Sequence, residues 1–62
     1  MNNVEAFKNS KYYNQLRQEI LHSYRIIGHV LDNYGMNMEE GLKEALERLW
    51  KDTEDVLEHI KQ

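Results

Sequence analysis

The chain has 62 residues, a net charge of −3 and no cysteine. A chain this short can form only one domain, here residues 1–62, and it is marginally stable unless a disulfide, a metal or a second subunit supports it. Without cysteine, disulfides and thiolate zinc sites are excluded, and a cytoplasmic location is permitted. No run of apolar residues exceeds two, so we expect neither a membrane span nor a signal peptide.

The first nine residues permit two interpretations. Asn2 and Glu5 have the spacing of a capping box, which would begin the first long helix early. Alternatively, Ser10 is the N-cap of that helix, and Val4 and Phe7 lie on a short separate turn or a frayed end.

From about residue 10 to 34 the apolar residues recur with a helical period. Six of them form a heptad seam: Tyr13, Leu16, Ile20, Ile27, Val30 and Tyr34. Ser23 interrupts this seam, and four further apolar residues widen it: Leu21, Tyr24, Ile26 and Leu31. The apolar arc covers more than half of the helix circumference, which is more than one neighbouring helix can bury. Gly28 lies at the edge of the arc, either as a tolerated weak point or as a place where a neighbouring helix approaches closely.

A stop signal and a start signal for helices follow each other directly. Gly35 is predicted to end the first helix in the left-handed conformation, with Met36 packing on Leu31. Asn37 is predicted to cap the second helix, with Glu40 closing a capping box. Because the two signals are so close, we expect the helices to fold back as an antiparallel hairpin.

The second helix is predicted from about residue 38 to 61, with Lys61 in its last turn. Its heptad seam consists of Leu42, Leu46, Leu49, Thr53, Val56 and Ile60, flanked by Ala45, Trp50 and Leu57.

The predicted fold is therefore all-α: a hairpin of two helices, about 10–34 and 38–61, that dimerises into a four-helix bundle. Both seams contribute to the predicted dimer core: Tyr13, Leu16, Ile20, Ile27, Val30, Leu42, Leu46, Leu49, Val56 and Ile60. The competing interpretation is a hairpin that completes its core on a different protein.

Catalytic and metal chemistry find little support in the sequence. Glu19 and His22 have the Glu-x-x-His spacing of di-iron bundles, but His22 points roughly 160° away from the apolar seam. Ser10 and Ser23 have no apparent base at a useful position, and no glycine-rich loop is present to bind phosphate. We therefore expect no enzyme, no metal site and no cofactor.

Charge is distributed unevenly along the chain. Residues 1–36 carry four basic and three acidic side chains, whereas residues 37–62 carry four basic and eight acidic ones. We hypothesise a small regulatory or adaptor protein that binds another protein through its acidic second helix or its aromatic amino-terminal end. The candidate contacts are Glu40, Glu44, Glu47, Glu54 and Glu58 on the helix, and Phe7 and Tyr12 at the amino-terminal end.

The alternative function is nucleic-acid binding through the first helix. A polar stripe without carboxylates shares its solvent face: Lys11, Gln15, Gln18, His22, Arg25 and His29. In a dimer, two such stripes could present Lys11, Gln18, His22 and Arg25 to phosphates of RNA or DNA. In length and topology, though not in any sequence motif, such a dimer resembles Rop, the small plasmid regulator whose hairpin dimer binds paired RNA loops.

Overall fold

A computed structural model describes residues 3–60, and within this range every regular element is helical. Helix α1 spans Asn3–Lys8, α2 spans Lys11–Tyr34, a 3₁₀ turn spans Gly35–Asn37, and α3 spans Glu40–His59. The all-α prediction is confirmed. The predicted positions of Asn2 and Lys61 lie outside the described residues.

The first helix does not begin early, because α1 is a separate element. Ser10 stands at the N-cap position of α2 with an extended backbone, φ −82° and ψ 156°. Its hydroxyl donates a hydrogen bond of 2.7 Å to the carbonyl oxygen of Phe7, which belongs to α1. Of the two interpretations of the amino terminus, the separate turn is therefore correct.

Helices α2 and α3 lie side by side and run in opposite directions. Near one end, the Arg17 Nε donates to the carbonyl oxygen of Ile60 at 3.2 Å. Near the middle, the indole of Trp50 lies against Gly28, and towards the other end the side chain of Lys43 lies over Gly35.

The connection between the helices differs from the prediction. Gly35 is right-handed, with φ −55° and ψ −37°, and its N–H donates to the carbonyl oxygen of Leu31, so α2 simply runs on into the 3₁₀ turn. Met36 is 97% exposed and makes no stop contact with Leu31. Two extended residues, Met38 and Glu39, then reverse the chain direction.

The predicted cap of the second helix is also wrong. Helix α3 begins at Glu40 with Glu39 at the N-cap position, and no side chain makes a cap hydrogen bond there. Asn37 belongs instead to the 3₁₀ turn. A 3₁₀ turn and a left-handed glycine both satisfy orphan carbonyl groups at a helix end, so the glycine signal alone does not decide between them.

An aromatic pair forms the middle of the contact between α2 and α3. The rings of Tyr24 and Trp50 stack with centroids 5.0 Å apart and an interplanar angle of 6°. A Cβ atom built on Gly28 would lie 2.9 Å from the Trp50 Nε1, closer than side chains tolerate. Of the two interpretations of Gly28, the close approach is therefore the one that occurs, and the approaching group is an indole of the same chain.

The molecule is long and thin. Its principal extents are 50 × 15 × 14 Å and its radius of gyration is 14.7 Å, whereas a compact domain of this length has a radius of gyration of about 10.6 Å. In such a rod few side chains are fully enclosed: among residues 3–60, the only buried apolar side chains are Tyr13, 7% exposed, and Ile60, 9% exposed.

Candidate interaction surface

An open groove runs between α2 and α3 on one side of the pair. Both helices line it, and most of its wall is apolar: Ile20, Ile26 and Ile27 from α2 and Leu49 from α3, with Glu19, Ser23 and Thr53 as its polar members. The groove follows from the sequence because these positions recur at spacings of three and four on α2 and four on α3, which places them on one side of each helix.

Exposed apolar side chains extend this groove along the whole rod. On α3, Leu42 is 52% exposed, Leu49 47% and Val56 39%, and their spacing of seven puts them in one row. We call the exposed apolar side chains on this side the apolar face: Tyr12, Leu16, Ile26, Tyr34, Leu42, Leu49 and Val56. Exposed apolar surfaces of this kind are typical of interaction sites, so the apolar face is the candidate surface of this chain.

Aromatic residues stand at both ends of the apolar face. At the amino-terminal end, Phe7 packs edge-on against Tyr13 with ring centroids 5.3 Å apart. Phe7 and Tyr12 also line a shallow depression with Leu16, which joins this end to the groove. At the turn end stands Tyr34, which is 59% exposed although the sequence places it in the seam.

The two small polar residues of the groove lie across from each other. The contacts of Arg17 with Ile60 and of Gly28 with Trp50 keep the two helices in step, so Ser23 and Thr53 are at the same level of the rod. The Thr53 hydroxyl donates to the carbonyl oxygen of Trp50 at 2.7 Å, a local bond within its own helix. Ser23 and Thr53 therefore form one small polar level in the groove, and Glu19, four residues before Ser23, is its third polar residue.

The predicted dimer core divides into three groups in the single chain. Tyr13 and Ile60 are already buried inside it. Half-buried residues at the helix contact form the second group: Ile20, Ile27, Val30 and Leu46. Exposed residues form the third: Leu16, Leu42, Leu49 and Val56. The contact between the helices thus uses one edge of the seams and leaves the other edge uncovered.

The centre of the helix contact is formed by residues that the sequence predicts beside the seam. Tyr24 and Trp50 are predicted as flanking positions, yet their stacked rings lie at the centre of the contact. The Trp50 Nε1 is buried and has no hydrogen-bond partner among the described residues 3–60. The available signal was Gly28, the one position on α2 that leaves room for a large ring.

The acidic candidates on α3 are all exposed but do not converge on one point. Glu40, Glu44, Glu47, Glu54 and Glu58 are spread over most of the length of the helix. Lys43 and Lys51 stand among them, and Glu47 shares a shallow depression with both. This arrangement makes an extended charged surface, not a binding pocket.

The nucleic-acid candidates are exposed on the opposite side of α2 from its contact with α3. This holds for Lys11, Gln18, His22 and Arg25. The Lys11 ammonium lies 5.3 Å from the centre of the Tyr12 ring, and the Asn33 Nδ2 donates a hydrogen bond to the His29 Nδ1 at 3.3 Å. The polar stripe of α2 to which these residues belong is therefore exposed, and its charged side chains, Lys11 and Arg25, are both basic.

Among residues 3–60, no three His, Asp or Glu side chains come close enough together to hold a metal ion. Within the same range no helix is both long and apolar enough to cross a bilayer. Comparison of the chain with protein-family models, curated proteins and solved structures gives no match.

Proposed function

We propose that the protein is a non-enzymatic regulatory or adaptor protein of the cytoplasm that works as a homodimer of antiparallel helical hairpins. In this proposal the apolar faces of two copies pack together into a four-helix bundle. The outer surfaces of the bundle then remain available to a further partner. The observation that carries the proposal is the row of exposed apolar residues along the rod, above all Leu42, Leu49 and Val56.

The accessible surface area supports a second copy as the occupant of the apolar face. The chain exposes 5226 Å² at a mass of 7.5 kDa, whereas a compact monomer of that mass exposes about 4,200 Å². The excess of about 1,000 Å² is close to the roughly 800 Å² that each partner buries in a stable interface of standard size. One further hairpin is therefore enough to cover it.

The charge of the outer surface supports a basic protein as the further partner. Helix α3 carries seven acidic and three basic side chains, and all of its acidic residues are exposed. In a dimer, two such helices present a surface that attracts a positively charged protein and repels nucleic acid.

The experiment separates the two candidate functions by charge reversal. In a pull-down, the molecules retained by the immobilised wild-type protein are compared with those retained by two variants. The α3 variant is Glu44→Lys/Glu47→Lys, and the stripe variant is Lys11→Glu/Arg25→Glu. The proposal predicts that one protein is retained in stoichiometric amount by the wild type and the stripe variant, and is lost on the α3 variant. Retention of RNA or DNA that falls steeply with salt and disappears only in the stripe variant would establish nucleic-acid binding instead.

A further inference from the structure

We propose that the homodimer is antiparallel, with its two-fold axis passing through Ser23 and Thr53. This inference rests on the proposed dimer and specifies how its two protomers are oriented relative to each other. Each hairpin then lies on its partner head to tail, so that α2 packs on α2 and α3 packs on α3. The turn of one protomer meets the amino-terminal aromatic end of the other.

Three pairs of apolar residues on α2 are arranged symmetrically about Ser23. At three residues on either side stand Ile20 and Ile26, at seven stand Leu16 and Val30, and at eleven stand Tyr12 and Tyr34. Isoleucine thus mirrors isoleucine, an aliphatic residue mirrors an aliphatic one, and tyrosine mirrors tyrosine. A two-fold interface between antiparallel helices brings together the residues at equal distances before and after the axis. The sequence of α2 matches this requirement at these three pairs, whereas four residues on either side of Ser23 the groove residue Glu19 mirrors Ile27.

The same axis suits α3. Thr53 lies level with Ser23 across the groove, so a line perpendicular to the helices passes through both residues. Four residues on either side of Thr53 stand Leu49 and Leu57, so leucine mirrors leucine on this helix. The small polar residues of both protomers then meet in one central layer, and Glu19 is the only other polar residue among residues 3–60 that lines the groove.

Ser23 also has the size that an axis position needs. Packed helices lie about 8–10 Å apart, and the Cα atoms of each lie about 2.3 Å from its axis. Two residues that face each other on the axis therefore have Cα atoms about 3.4–5.4 Å apart, which leaves room only for small side chains. Ser23 is exposed on the groove and is the only small residue among the α2 positions that line it.

The antiparallel arrangement provides a partner for both exposed ends of the apolar face. Tyr12, which is 62% exposed, comes opposite the partner's Tyr34, and the nearby Phe7 reaches the level of the partner's turn. With the two-fold axis along the helices instead, Tyr12 would lie beyond the end of the partner's α3, because Arg17 is already level with Ile60.

Single cysteines test the arrangement cleanly because the natural chain has none. Under mild oxidation Ser23→Cys is expected to form a disulfide-linked dimer, since the upper part of the Cα separation on the axis, about 4.4–5.4 Å, lies within the range of a disulfide. His22→Cys, an exposed neighbour on the outer stripe, is the matched control and is expected to cross-link at least about ten-fold less. Leu16→Cys alone is expected to stay unlinked, because its own copy lies about 21 Å away along the rod, but to cross-link when mixed with Val30→Cys.

Sedimentation of the same variants in reducing buffer distinguishes the possible failures. A dimer in which Ser23→Cys does not cross-link, or cross-links no better than His22→Cys, overturns the antiparallel arrangement and leaves the dimer standing. A monomer in sedimentation removes the proposed function itself. Circular dichroism of each variant establishes that its helices are intact.

Discussion

Replacement of Gly28 by alanine has two opposing effects on the free energy of unfolding. Alanine in place of glycine inside a helix stabilises it by up to about 1 kcal/mol. At this position, however, the added Cβ would lie 2.9 Å from the Trp50 Nε1. The indole cannot easily move away, because its ring is stacked on Tyr24 at 5.0 Å. Overpacking of this kind costs about 1–3 kcal/mol, so we expect Gly28→Ala to lower the free energy of unfolding by up to about 2 kcal/mol.

Gly35 provides the matched control. Its backbone is right-handed, and a Cβ there would meet only the Lys43 Cε at an ordinary 3.8 Å. Gly35→Ala is therefore expected to leave the free energy of unfolding unchanged or to raise it by up to about 1 kcal/mol. The same variant tests the conformation of the turn, since a left-handed residue would be destabilised by the substitution.

The two variants are compared by thermal unfolding at one protein concentration, because the melting temperature of a dimer depends on concentration. Each kcal/mol corresponds to about 4–8 °C for a domain of this size. Trp50 is the only tryptophan, so its fluorescence reports the packing at Gly28 directly. If Gly28→Ala melts at or above the temperature of Gly35→Ala with unchanged fluorescence, the assigned contact between α2 and α3 is wrong.

Three further predictions concern the dimer. Leu49→Ala removes a half-exposed apolar side chain from each subunit, a loss of roughly 2 kcal/mol that should raise the dimer Kd about 30-fold. The control is Arg48→Ala, at an exposed neighbour, which should change the Kd less than about two-fold. Equal effects of the two substitutions would exclude the apolar face as the interface. Raising salt from about 0.02 to 0.5 M should tighten the antiparallel dimer, because two acidic α3 helices then lie side by side; weakening would argue for α2 against α3. Lys11→Glu/Arg25→Glu should dimerise like the wild type, since both residues lie on the outer stripe, and a loss of dimer in sedimentation would place that stripe inside the interface.

The sequence predicts the long helices well because apolar spacing responds directly to the helical period. The row of Leu42, Leu49 and Val56 was predicted from heptads, and all three side chains share one exposed row. The heptad pattern does not determine which part of a wide apolar arc packs against the other helix of the same chain. Here the stacked rings of Tyr24 and Trp50 rotate the contact towards the edge of the seam.

The connection between the helices shows where local signals fail. Gly35 and Asn37 have the residue types of a glycine stop and an asparagine cap, yet α2 continues through Gly35 and α3 begins only at Glu40. Both solutions satisfy the same backbone groups at similar cost, so the choice depends on packing. The half-buried Lys43 side chain over Gly35 is part of that packing, and its contact with the turn cannot be read from the residues around the turn alone.

The dimer itself is tested most directly by sedimentation equilibrium of the unmodified chain across a range of micromolar concentrations. The exposed apolar face predicts a reversible association to twice the chain mass of 7.5 kDa, with helical content that falls as the dimer dissociates. A particle of 7.5 kDa that keeps its full helical content at every concentration would contradict the account, because the uncovered leucines and isoleucines of the groove would then need no partner.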